Sequence, residues 1–179
     1  MPTKDQNKSL TPRRQFIQSI PAAGAAFAVA GNCAFTQEQR NLAEVVVCYD
    51  LQSGLERWVH EDNARFSEAL GGDGPRATPT IHRGRVYSLG ATGKFNCLDA
   101  TTGREIWSHD VLDLAGAGNI AWGLCGSPLV LGGSVIVSAG VADDSAVASG
   151  PYAGKKYWQV GERLYRAGNA KSGIPACSA

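Results

Sequence analysis

The sequence has little charge and no excess of either sign. Only 18% of its 179 residues are Asp, Glu, Lys or Arg, and 17 basic against 16 acidic side chains leave a formal net charge of +1. The clustered basic excess that marks nucleic-acid binding is missing. Its one notable apolar stretch, Ile17 to Ala30, is rich in Ala and Gly and falls short of the roughly 20 residues a spanning helix needs. There are five cysteines, an odd number, and no spacing among them makes a CxxC or Cys/His zinc pattern. What the chain has is glycine, 22 residues of it, with 44% hydrophobic content. That balance excludes disorder by composition and suits a turn-rich all-β protein.

One stretch returns. "CYDLQSGLERW" (Cys48 to Trp58) reappears as "CLDATTGREIW" (Cys97 to Trp107) and, worn, as "ASGPYAGKKYW" (Ala148 to Trp158). Asp50 to Asp99, Gly54 to Gly103 and Trp58 to Trp107 are each 49 residues apart, and Trp107 to Trp158 is 51. A second element, "ATPTIHRGRVYSLG" from Ala77, returns as "GSPLVLGGSVIVSAG" from Gly126, again 49 residues on. A fixed period near 50 in a strand-rich sequence points to a propeller or solenoid.

Between Ala77 and Asp110 the chain divides into four short strands with glycine at each corner, which is one propeller blade. Asp99 is placed to accept backbone N–H bonds in an Asx-type turn, Gly103 closes the corner, and Trp107 stands in the outer strand. A tryptophan at a fixed place in each repeat is suited to wedge against the next blade. Cys48 and Cys97 share a repeat position. Sheets packed about 10 Å apart put them beyond the roughly 7 Å Cα reach of a disulfide, so both read as small buried apolar residues.

At these residues the chain resembles the tryptophan-docking motif of the pyrroloquinoline-quinone (PQQ)-like β-propeller repeats, Ala-x-Asp-x-x-Thr-Gly-x-x-x-Trp. The match runs through Asp99, Thr102, Gly103 and Trp107 and through Asp50, Ser53, Gly54 and Trp58. In the third copy only Gly154 and Trp158 remain, Gly150 and Ala153 having replaced the other two positions. The family includes quinoprotein alcohol dehydrogenases, the propeller lipoprotein of outer-membrane protein assembly, and exported propellers of unassigned role. The resemblance implies an all-β partial propeller of about two and a half blades, a fragment of a seven- or eight-bladed ring: the last two strands of one blade (Val45 to His60), one complete blade (Ala77 to Asp110) and a degenerate one (Ser127 to Val160). Either the chain is a truncated relative of a longer propeller, or several chains close a ring. The worn third copy and the lack of a visible cap favour truncation.

The N-terminus is different in kind. "TPRRQFIQ", with Arg13, Arg14 and Phe16, followed by the Ala/Gly-rich apolar run, resembles a twin-arginine export signal. Residues 1–30 are read as that signal, with an alternative end at 34, residues 31–44 as a linker, 45–160 as the repeats and 161–179 as an irregular tail. Without the first 30 residues the chain has 13 basic and 15 acidic side chains, so no electrostatically driven partner is expected. The expected location is periplasmic or secreted.

Two functions compete. A PQQ-dependent dehydrogenase would place calcium and quinone beside an Asp base. Family dehydrogenases carry adjacent cysteines at the cofactor, which this sequence lacks, and Asp50 and Asp99 read as turn carboxylates. Neither PQQ, calcium nor another metal is expected, and no catalytic residue is assigned. The preferred reading is an exported, non-catalytic module that engages a protein or envelope component through its loop face or sheet edge, with self-association through open blade faces as a further route. Asp73 and Arg76 in "GGDGPRATP" and Trp122 in the matching loop of the next blade are the candidate loop-face contacts.

Overall fold

The computed structural model describes residues 27–131, 134–139, 146–149 and 156–160. Arg13, Arg14, Phe16, Gly154 and the 161–179 tail lie outside the described residues, and Trp158 is described only as part of a strand.

Among the described residues, three four-stranded antiparallel sheets follow one another. The first consists of β1 (Phe27–Ala30), β2 (Cys33–Arg40), β3 (Ala43–Asp50) and β4 (Glu56–Asp62). The second consists of β7 (Thr80–His82), β8 (Arg85–Leu89), β9 (Lys94–Asp99) and β10 (Glu105–Asp110), and the third of β11 (Leu129–Leu131), β12 (Ser134–Ser138), β13 (Ala146–Ser149) and β14 (Lys156–Val160). A two-stranded hairpin, β5 (Ser67–Glu68) with β6 (Gly72–Asp73), lies between the first two sheets, and a short helix, α1 (Val111–Ala115), follows the second. In each sheet the strands pair in chain order, the up-and-down arrangement of a propeller blade.

This corrects two expectations. Residues 31–44 are not a linker, since β2 and the start of β3 fill them, and the first blade is a whole sheet, not its last two strands. Phe27–Ala30, at the end of the stretch read as an export signal, is strand β1, paired with β2 from Phe27↔Thr36 to Ala30↔Cys33. The polar run Thr36 to Arg40 hides this strand from a hydrophobicity reading. Its polar groups are satisfied inside the sheet: Thr36 Oγ1 and Tyr49 OH each donate to Glu38 at 2.9 Å, and Arg40 bridges Glu38 at 2.9 Å and Glu56 at 2.6 Å. Gln37 Nε2 donates to Ala77 O at 2.6 Å, and Gln39 Nε2 to Ala43 O at 2.8 Å. Hydrogen bonds so placed offset the cost of burying these polar side chains. Glu56 and then Glu38 hold the Arg40 guanidinium above its ordinary range, while burial, then Glu38, raises the Tyr49 phenol.

The core lies between sheets. Phe35, Val46 and Cys48 of the first meet Val86 and Leu98 of the second. Tyr87, Leu89, Phe95, Cys97 and Trp107 of the second pack with Leu124, Val135 and Val137 ahead of and within the third. Strand alternation makes this possible, since successive side chains point to opposite faces and each sheet feeds two seams. Cys48 and Cys97, both fully buried, fall in different clusters. The β7–β8 corner shows what the turn residues do: Arg83 and Gly84 both have positive φ, 47° and 71°, as a tight two-residue hairpin requires.

Candidate functional site: two ends of the sheets

At one end of the sheets stand the repeated turns. Asp50 Oδ1 accepts from the amides of Gln52 at 2.9 Å and Ser53 at 2.8 Å and from Ser53 Oγ at 3.1 Å. Asp99 repeats the pattern with Thr101 N at 3.0 Å, Thr102 N at 2.9 Å and Thr102 Oγ1 at 3.0 Å. The corner closes through Gly54 N to Asp50 O at 2.8 Å and Gly103 N to Asp99 O at 2.9 Å. The Ser53 amide and the Arg57 ion pair hold the Asp50 carboxyl well below the usual carboxylate range. The Thr102 hydroxyl and amide do the same for Asp99. A carboxylate this firmly ionised and hydrogen-bonded is a poor general base.

The tryptophans link sheet to sheet. Trp58 Nε1 donates to Ala100 O at 3.1 Å, crossing from the first sheet to the second sheet's turn. Its ring lies over Gly103, where a Cβ would come within 2.5 Å of Trp58 Cε3. Gly103 also has φ 73°, so it is required twice over, by backbone and by space. Trp107 is 9% exposed and packs edge-on to Phe95 at 5.1 Å. Trp58, Trp107 and Trp158 hold the same register place, opposite Cys48, Cys97 and Ala148, each beside a register shift.

The connectors gather at the opposite end. Asp73 accepts from Ser67 Oγ at 2.6 Å and pairs with Arg65 at 2.8 Å. Arg76 donates to Gly71 O at 3.0 Å and Gly72 O at 3.2 Å and lies 5.5 Å above the Phe66 ring. Both side chains thus order their own hairpin. Phe66 also packs on Gly123, where a Cβ would lie 2.9 Å from its Cζ, which brings the Asp73–Arg76 loop against the loop of Trp122. Trp122 is 53% exposed, and Leu70, at the hairpin tip, is 84% exposed. Leu42 in the β2–β3 corner at this end is also exposed, beside a shallow cavity of about 460 Å³ lined by Arg40, Asn41, Ala43, Glu61 and Asn63.

One polar cluster at this end escaped the sequence reading. Glu44 and Asp62 face each other across β3 and β4, with His60 Nε2 3.7 Å from Asp62. Nothing in their spacing signals this, because only the strand register brings them together. Among the described residues no group of three His, Cys, Asp or Glu is arranged to hold a metal ion, and no helix is long and apolar enough to cross a membrane.

Solved structures share this fold. The chain is similar to a europium-containing methanol dehydrogenase at 18% identity, with a TM-score of 0.57 over 75% of this chain and 24% of that one. It is also similar to the quinohemoprotein alcohol dehydrogenase of Comamonas testosteroni, at 19% identity and a TM-score of 0.59 over 76% and 20%. BamB from Moraxella catarrhalis aligns at 18% identity and a TM-score of 0.51 over 76% and 35%. The chain therefore spans between a fifth and about a third of these proteins, and the likeness is one of fold. No curated protein matches it in sequence. The sequence pattern of the family described as outer membrane protein assembly factor BamB matches residues 42–177, a span that takes in all three tryptophan positions, and the chain belongs to that family of PQQ-like propellers.

Proposed function

We propose that this chain is an exported, non-catalytic propeller segment that binds a protein of the cell envelope through the connector end of its sheets, without PQQ or calcium. The observation that carries this reading is a division of labour. Asp50 and Asp99 are saturated by their own turns, whereas Leu70 and Trp122 stand exposed on loops braced by hydrogen bonds and by the Phe66 contact. Large apolar side chains on ordered loops are the usual anchors of a protein interface. Membership of a family described by a role in outer-membrane protein assembly supports an envelope partner. Self-association through the terminal sheets is a second use of the same architecture.

The test is affinity capture from an envelope extract with the wild type and a Leu70→Ala/Trp122→Ala double variant. Recovery of the bound protein should fall about 10-fold or more with circular dichroism unchanged; equal recovery overturns the reading. A rise in melting temperature with added PQQ and calcium would revive the quinoprotein dehydrogenase. Export is tested separately by replacing Arg13 and Arg14 with lysines, which keeps the charge and should leave unprocessed precursor in the cytoplasm. Unchanged secretion would remove the twin-arginine reading.

A further inference from the structure

The seam between the first and second sheets buries more acid than it can hold charged. Glu44 lies directly across the β3–β4 pair from Asp62, and carboxylates so placed repel. Asp62 is anchored, since Asn96 Nδ2 donates to it at 2.5 Å and Ser108 Oγ donates in turn to Asn96 Oδ1 at 2.6 Å. Glu44 is not. It is 3% exposed, and neither carboxylate oxygen has a hydrogen-bond partner among the described residues.

Among the described residues no cation forms an ion pair with Glu44. From β4 come Asp62 and His60, whose buried Nε2 lies 3.7 Å from Asp62 and has no hydrogen-bond partner among the described residues. From the second sheet come Ser88 and Asn96, with Lys94 and Asp110 at the end of the same row. Lys94 forms no ion pair with either acid among the described residues, and Asp110 is engaged in capping α1 through the amides of Leu112 and Asp113. The Glu44 carboxylate rests on the 90–93 turn, its Oε2 filling the place a Cβ on Gly90 would take. Burial, then Asp62, pushes its carboxyl up to about 7. The amides of Ala91 and Thr92 and the Thr92 hydroxyl approach it short of hydrogen-bond geometry and offset only part of that rise.

The same turn holds the candidate contact loop. Ala91 O accepts from Leu124 N at 3.0 Å and from Asn119 Nδ2 at 3.1 Å, and Gly93 O accepts from Val111 N at 2.9 Å. Ala91 and Phe66 together close on Gly123. Trp122 therefore sits on a loop whose footing is the turn that Glu44 touches.

We propose that Glu44 is a proton-controlled latch: protonated, it seats the 90–93 turn against the first sheet and keeps residues 119–124 in place, and ionised beside Asp62 it loosens that turn and the loop presenting Trp122. The latch deepens the binding reading above, on which its biological meaning rests, but its chemistry does not depend on it. Because the folded-state pKa is raised from 4.5 to about 7, the stabilisation is complete below about 4.5 and is lost as pH rises through about 7.

Amide hydrogen exchange on the full chain tests this, with rates corrected for intrinsic chemistry. Protection of the Gly123 and Leu124 amides should fall about 10-fold or more between about pH 5.5 and about pH 8. Glu44→Gln, which mimics the protonated acid, should hold that protection flat. Asp62→Asn should move the wild-type midpoint to lower pH by removing the repulsion, and it carries the test if Glu44→Gln fails to fold. Equal wild-type protection at both pH values, a Glu44→Gln profile that follows the wild type, or an unmoved midpoint in Asp62→Asn would each overturn the latch. pH-dependent protection in a protein whose capture is indifferent to Leu70→Ala/Trp122→Ala would keep the latch and discard the binding face, so the two readings fail separately.

Discussion

The motif aspartates at one end of the sheets and Glu44 at the other are held in opposite ways. At the turn end, Asp50 and Asp99 each collect two amides and a hydroxyl, and both stay ionised below the usual range. At the connector end, Glu44 is buried with no hydrogen-bond partner for either oxygen among the described residues, and burial pushes its carboxyl up to about 7. A carboxylate that is fully bonded fixes a structure, while one left short responds to its surroundings. The comparison separates residues that build the repeat from residues free to do something else.

The largest break in the turn-end scheme should come from Trp107→Ala. Deleting a side chain that is 9% exposed and packed on Phe95 and Tyr87 should cost about 3 to 5 kcal/mol in urea unfolding. Wild-type resistance would mean that the indole is not a seam residue. Next, wild-type stability should decline by about 3 kcal/mol or less as pH rises from near 4.5 to near 7, the linkage carried by Glu44. Glu44→Gln should remove that slope while Asp99→Asn leaves it intact, and a slope equal in both variants would erase the contrast between the ends.

Smaller effects sharpen the turn end itself. Gly103 and Gly84 have nearly the same φ, 73° and 71°, but a Cβ on Gly103 meets the Trp58 ring while one on Gly84 meets nothing within 4 Å. Gly84→Ala should cost about 1 kcal/mol from backbone strain alone, and Gly103→Ala about 2 to 3 kcal/mol. Their difference in thermal unfolding isolates the indole contact, and equal costs would show that Trp58 yields freely.

The parts of this architecture that were legible in the sequence are those that repeat. Asp, Gly and Trp at a 49-residue spacing gave the sheet count to within half a blade and the position of each motif turn, because local turn chemistry demands those residue types. Strand β2 was not legible. Its Gln37 and Gln39 bond to carbonyls 40 and 4 residues away, partners that a linear pattern does not reveal, so a buried strand reads as polar linker. Glu44 was invisible for a related reason: it and Asp62 look like ordinary surface acids until register sets them side by side. Asp73 and Arg76 drew attention as a charged pair in a glycine-rich loop, and they serve that loop's own hydrogen bonds. Trp122 stands exposed in the loop where the sequence put it.

The Trp58 indole reaches forward onto the turn of the following sheet, and that sheet's own Trp107 stands one register-equivalent further on. The second 49-residue unit therefore carries both the socket that receives Trp58 and a tryptophan of its own at the equivalent register place. A gene segment duplicated in frame at this period brings its own complementary contact with it, so the array lengthens without compensating substitutions elsewhere. Losses follow the same arithmetic: Gly150 and Ala153 stand where an Asp and a Thr are expected, and neither side chain carries the oxygen on which the turns at Asp50 and Asp99 depend.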